Sequence, residues 1–263
     1  MPTVQWPAYS AGAAFVWVSA AGFALLAAQT IKPHPQTPLT VELPRVEIVA
    51  QQPDDSVGAF AALRRRMHWV PTRFGGDTLM APDYESRVLL AKSAAERAGL
   101  GEVGLTYRDV YAIISAETSW IPRTGASRDG TPNLGIAQFE PATARALGVK
   151  NPQDPVEAVH AAAMHMKDAA LWSREKLRPL NLGRVEQAEK LREGVSVYYN
   201  LSTRGRNQWN GTNAAQLPVE TQRHIANARL GAQEAAMLEA QLRASSYSRG
   251  REVVTAKAAD TRG

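Results

Sequence analysis

The sequence predicts a mainly α-helical protein. Apolar residues recur at helical spacing in several segments between Tyr84 and Arg243. Proline, glycine and capping residues punctuate those segments, and no strand-like alternation of any length is read. The chain has 263 residues, room for one sizeable domain with appendages. Hydrophobic residues at 44% and charged residues at 21% describe an ordinary globular protein. The absence of cysteine excludes disulfides and thiolate metal sites, and it fits an envelope protein that does not rely on oxidative folding. A net charge of +5 suits an acidic glycan, a membrane face or nucleic acid.

Taken in order, residues 1–31 contain no Asp, Glu, Lys, Arg or His, and residues 11–28 form an 18-residue apolar run nearly long enough to span a bilayer. An N-terminal apolar helix is expected, as a signal peptide or as a membrane anchor. The terminal amine is its only positive group, whereas the alanine-rich stretch FALLAAQT could serve a signal peptidase. Both forms place the rest of the chain outside the cytoplasmic membrane. Residues 32–81 read as a linker and pre-domain segment. KPHPQTPLTVELP, residues 32–44, is polyproline-like, and a short helix over Asp55–Met67 ends in Arg64, Arg65 and Arg66.

The folded domain is expected over residues 82–244. Tyr84–Ala98 is a helix stopped by Gly-Leu-Gly, and Asp109 can cap the next helix, which Pro122 ends. Glu140 and Pro141 begin another helix. Pro155–Leu177, Arg184–Asn200 and Val219–Arg243 supply the rest. Residues 245–263 are polar without apolar periodicity and are expected to be a disordered tail. His160 and His165 are five apart with no HExxH pattern, so neither a metal nor a cofactor is expected.

One carboxylate stands out. Val110, Ile113, Ile114 and Glu117 fall at i, i+3, i+4 and i+7, so Glu117 points where the apolar residues point. Apolar neighbours and the negative end of the helix both disfavour its ionised form. A lone acid so placed suits general acid catalysis of glycosidic cleavage.

Four segments then occur in a telling order: AIISAETSW around Glu117, GIAQFEPATARALGV from Gly135, VSVYYN ending at Asn200, and LPVETQRHIANA around Glu220 and Thr221. Together they resemble the SLT-type lytic transglycosylases, a goose-lysozyme-like group that cleaves peptidoglycan, over about residues 83–230. The resemblance implies a lysozyme-like helical domain. It puts Glu117 in the catalytic position and Gly135, Ile136, Ala137 and Gln138 in the Gly-Leu-Met-Gln motif. Tyr199 and Asn200 fall in the Ala-Tyr-Asn motif. Thr118 replaces the usual serine, Tyr198 the usual alanine, and His224 a usual tyrosine. The segment from Ser127 to Gly135 is slightly longer than the common pattern.

On that resemblance, Glu117 protonates the leaving oxygen of a MurNAc–GlcNAc β-1,4 bond. It then takes the proton of the muramic C6 hydroxyl, giving a 1,6-anhydro end without water. The resemblance marks Thr118, Ser127, Gly135, Ile136, Gln138, Tyr199 and Asn200 as substrate-binding residues, with Tyr199 expected to hydrogen-bond Glu117. Asp129 sits in an Asp-Gly turn signal and would matter only if water were activated. Trp209, in the polar loop GRNQWNGTN, is the candidate for stacking on a sugar, and Trp120 falls at the family's core aromatic.

The expected protein is therefore an exported or membrane-tethered lytic transglycosylase of the periplasm or cell envelope. Its expected partners are peptidoglycan glycan strands, a secretion, conjugation or phage-entry complex, and the membrane through residues 11–28. The rival expectations are a hydrolytic muramidase acting on the same bond and a catalytically silent glycan-binding or assembly component. Nucleic-acid binding is not expected, because the basic residues are dispersed and no recognition motif occurs.

Overall fold

The computed structural model describes residues 55–127 and 129–260; the apolar run 11–28 and the linker 32–44 lie outside them. The described residues are mainly helical, as expected. α1 (Asp55–Arg66) leads into an antiparallel hairpin of β1 (Trp69–Phe74) and β2 (Asp77–Pro82), joined by Gly75-Gly76. The expectation of no strands is thus corrected. A two-residue glycine turn between β-branched and aromatic residues favours a hairpin. Its residues are mostly exposed, so no alternation marks a buried face.

The pre-domain segment is also more than a linker. Leu63 and Met67 enter the main core, Arg64 pairs with Asp154, and the His68 amide donates to Ser86 Oγ at 2.8 Å.

α2 (Tyr84–Ala98) starts at Asp83, which accepts from the Ser86 amide, and ends at Gly99 as expected. A 3-10 turn at Leu100–Val103 leads to α3 (Tyr107–Thr118). Thr106, not Asp109, caps α3. Its hydroxyl accepts from the Arg108 amide, and the Asp109 carboxylate reaches back to the Thr106 amide at 2.7 Å, closing a capping box. A small hairpin of β3 (Gly125–Ala126) and β4 (Pro132–Asn133) precedes α4 (Pro141–Ala146). Then come α5 (Pro155–Leu177), α6 (Arg184–Asn200), the short α7 (Thr203–Arg206) and α8 (Val219–Asp260).

α3 is the central helix. It packs most extensively on α8 and also on α2, while α5 packs on α6 and α2. Eight of its 12 residues are buried, including the acids Asp109 and Glu117. Asp109 is paired with Arg192 of α6 at 2.7 Å. The α3–α8 crossing is close because α8 presents Gly231 there. A Cβ at that position would lie 2.8 Å from Ser115 Cβ and 3.0 Å from Ala112 Cα.

α8 continues through Asp260, so the backbone of residues 245–260 is helical rather than disordered. No proline interrupts that stretch, and its alanine, arginine, lysine and glutamate residues are strong helix formers. Helix propensity and continuity with a docked helix carry it without an apolar stripe.

Candidate active site

Glu117 lies in the last turn of α3, with only 2% of its side chain exposed. The helix stops abruptly. Ser119 and Trp120 both adopt left-handed backbone, at φ 54 and 65, and Gln138 does so at φ 51. Such conformations cost energy in non-glycine residues and persist where packing over-determines them. Here Trp120 is the anchor. It is fully buried against Tyr111, ring centroids 5.0 Å apart, and its indole donates to Ser115 Oγ at 3.1 Å. Trp120 is a core residue, as the resemblance implies.

The open carbonyls at the end of α3 are closed by Arg123. Its guanidinium donates to the Thr118, Ile121 and Glu117 carbonyls at 2.7, 3.2 and 3.1 Å. Burial pulls the Arg123 guanidinium below its ordinary pKa, and the Glu117 charge opposes that. The Phe74 ring, at the tip of the β1–β2 hairpin, covers the guanidinium at 4.5 Å. The pre-domain segment therefore reaches the site, which sequence reasoning missed.

The four sequence motifs close into a ring of hydrogen bonds. Thr118 Oγ1 donates to the Ile136 carbonyl at 2.8 Å. The Tyr199 hydroxyl donates to the neighbouring Ala137 carbonyl at 3.2 Å. Thr221 Oγ1 donates to Asn200 Oδ1 at 2.7 Å. Three residues along α8, His224 Nε2 lies 2.9 Å from Glu117 Oε1 and closes the circuit.

The expected Tyr199–Glu117 bond is therefore not formed. The phenol is used on the turn, and an imidazole takes the carboxylate. Burial pushes the Tyr199 hydroxyl well above its ordinary pKa, and the Glu117 charge adds to this, so the phenol remains a donor. Its ring stacks over His224, centroids 6.5 Å apart and 16° between planes.

His224 was the residue to find. Thr221, His224, Ile225 and Ala228 fall at i, i+3, i+4 and i+7, and all four are buried. That stripe was legible, although the identity of its partner was not. Among the described residues, His224 Nδ1 is the one buried side-chain nitrogen or oxygen without a hydrogen-bond partner. Of the Glu117 carboxyl oxygens, Oε1 is the one held by His224.

The remaining sequence candidates surround this ring. Gly135, at φ 69, brings the turn against α5's entry, where a Cβ would stand 2.0 Å from the Pro152 carbonyl oxygen. Ile136 is fully buried. Gln138 Nε2 donates to the Arg123 and Gly135 carbonyls at 2.9 and 2.8 Å. Ser127 is buried, donating to Glu140 at 3.3 Å and accepting from Asn133 Nδ2 at 3.2 Å.

Asp129 stays outside. It is exposed and accepts from the Thr131 amide, which lowers its pKa below the ordinary value. This is the turn role its sequence context favours. Trp209 is not a sugar platform: it is fully buried, stacks on Trp172 at 5.5 Å, and donates to Glu193 at 3.1 Å.

His160 is a satisfied core residue, with Nδ1 at 2.7 Å from the Val156 carbonyl and Nε2 at 3.0 Å from Ser93 Oγ. His165 packs against the Tyr198 and Tyr199 rings. Burial pulls both down to about 4.

Residues 97–216 match the family model described as the transglycosylase SLT domain. No curated protein matches the chain. The matched segment holds Glu117, the Gly135–Gln138 turn and Tyr199–Asn200, and it ends before His224 on α8.

Proposed function

From the match of residues 97–216 to the transglycosylase SLT domain model, we propose that this chain is a peptidoglycan lytic transglycosylase with Glu117 as acid and then base. The domain supports lytic transglycosylase-family function in general and implies a peptidoglycan substrate. The observation that carries the finer reading is the placement of Glu117. Its carboxyl is almost wholly enclosed and held through Oε1, which leaves Oε2 for the substrate.

Oε2 is then the oxygen that carries the reacting proton. Its proton passes to the glycosidic oxygen between MurNAc and GlcNAc as the C1–O bond breaks. The muramic C6 oxygen closes onto C1, and its hydroxyl proton returns to Oε2. The carboxyl ends as it began, and a 1,6-anhydro sugar is released. With its Nε2 engaged, Gln138 has its amide oxygen left to offer sugar substituents. Thr118, Ser127, Tyr199 and Asn200 hold the Gly135–Gln138 turn and its surroundings in place.

Asp129, the acid that a water-activating scheme would recruit, is engaged in its own turn. The chemistry therefore needs one carboxylate, unlike the two-carboxylate glycosidases. A peptidoglycan substrate supports a working place outside the cytoplasmic membrane, with the chain exported or tethered through residues 11–28.

Digestion of purified sacculi, with mass analysis of the released sugars, tests this reading. Wild type should release muropeptides with anhydro ends, and Glu117→Gln should release none. Reducing ends would make it a muramidase, and wild-type silence would leave an assembly or glycan-binding component.

A further inference from the structure

We infer that His224 is the positioning residue for Glu117, holding Oε1 so that Oε2 is left to meet the sugar. This rests on the reading of Glu117 as acid and base.

The geometry carries it. Nε2 stands 2.9 Å from Oε1, and both side chains are about as enclosed as each other, 3% and 2% exposed. A buried polar pair of this kind fixes the orientation of both partners, because breaking it leaves either group unsatisfied. Nδ1 has no protein acceptor. The neutral imidazole that carries its proton on Nε2 therefore meets its surroundings best, since it needs no acceptor at Nδ1.

That tautomer serves both halves of the reaction. While the carboxyl is protonated on Oε2, Nε2–H donates to the carbonyl-like Oε1. Once the proton has left, the same N–H donates to a carboxylate, and a charge-assisted bond is stronger. The imidazole proton stays on Nε2 throughout, and only the Oε2 proton moves.

Other titratable groups of the described residues face the pair from its neighbouring elements. Arg123 follows α3 and acts on Glu117 through its charge. Tyr199 faces His224 from α6, and His165 of α5 lies beyond that ring, 5.4 Å from it. Glu220 is one turn earlier on α8.

The test uses the full chain with ¹⁵N-labelled histidine, and variants His224→Gln and His224→Phe. In wild type the His224 imidazole should show the Nε2–H tautomer, and its Nε2 resonance should move in Glu117→Gln, where an amide replaces the carboxyl. In sacculus digestion, His224→Gln keeps an N–H donor. It should retain the rate within about tenfold. His224→Phe should lower kcat by about a hundredfold with KM little changed.

An imidazole whose resonances are the same with and without the Glu117 carboxyl overturns the inference. So does a His224→Phe enzyme with the wild-type kcat. If wild type releases no muropeptides, the proposed activity fails instead, and the imidazole spectra still decide whether the pair exists.

Discussion

The Thr118 hydroxyl donates to the Ile136 carbonyl at 2.8 Å, fastening the end of the acid-bearing helix to the turn opposite. The residue beside Glu117 is therefore a brace between two motifs 18 positions apart. Thr118→Val keeps the shape and removes the donor, leaving a buried carbonyl unpaired. It should cost about 1–3 kcal/mol in urea unfolding and slow sacculus digestion. Thr118→Ser keeps the hydroxyl and loses only a buried methyl, so it should cost about 1 kcal/mol and retain most activity.

Gly135→Ala tests the turn itself. The new Cβ would sit 2.0 Å from the Pro152 carbonyl oxygen, and the backbone there is left-handed at φ 69. Strain and overlap together should cost about 3 kcal/mol or more, read from the urea midpoint, with lost activity because the Ile136 and Ala137 carbonyls shift. Gly76→Ala is the control. A Cβ there meets nothing within 4 Å, and its midpoint should stay near wild type.

Glu239 on α8 ties the far end of α3 to its neighbours. Tyr107 donates to it, Arg108 donates at 2.9 Å and Lys92 at 3.2 Å. The Tyr107 hydrogen bond, followed by that of Arg108, holds its carboxyl well below the ordinary 4.5. A lowered folded-state pKa means stability that is full above about 4.5 and is lost as pH falls toward the folded value. Glu239→Gln should therefore melt below wild type at pH 7, and the gap should shrink steadily as pH falls below about 4. A constant gap down to pH 2 would mean that the network acts through shape alone.

Parts of this arrangement were legible and parts were not, for physical reasons. Helical periodicity carries Glu117 because α3 is buried on most sides, so the 3.6 period places it with Val110 and Ile114. The order of the four motifs located the turn and Tyr199–Asn200. His224 lay on a readable stripe with Thr221 and Ile225, but a stripe reports burial and not the partner, which is 107 residues away. The Phe74 hairpin escaped because neither of its faces is core, so nothing alternates. Trp209 was misplaced because its asparagine-rich surroundings read as solvent. The buried carboxylate of Glu193 supplies the polar contact that lets its indole turn inward.

Tyr199→Phe separates the two candidate partners of Glu117. In this structure the phenol supports the turn through the Ala137 carbonyl and stays protonated, its pKa pushed well above 10 by burial and then by Glu117. Its removal should cost about 1 kcal/mol of stability and slow sacculus digestion by no more than about tenfold. His224→Phe should do the opposite, sparing the turn and lowering kcat by about a hundredfold. A comparable loss in Tyr199→Phe would show that the phenol reaches Glu117 during the reaction. His224 would then be one of two groups that hold the acid, and the ring would have to open at Ala137 as substrate binds.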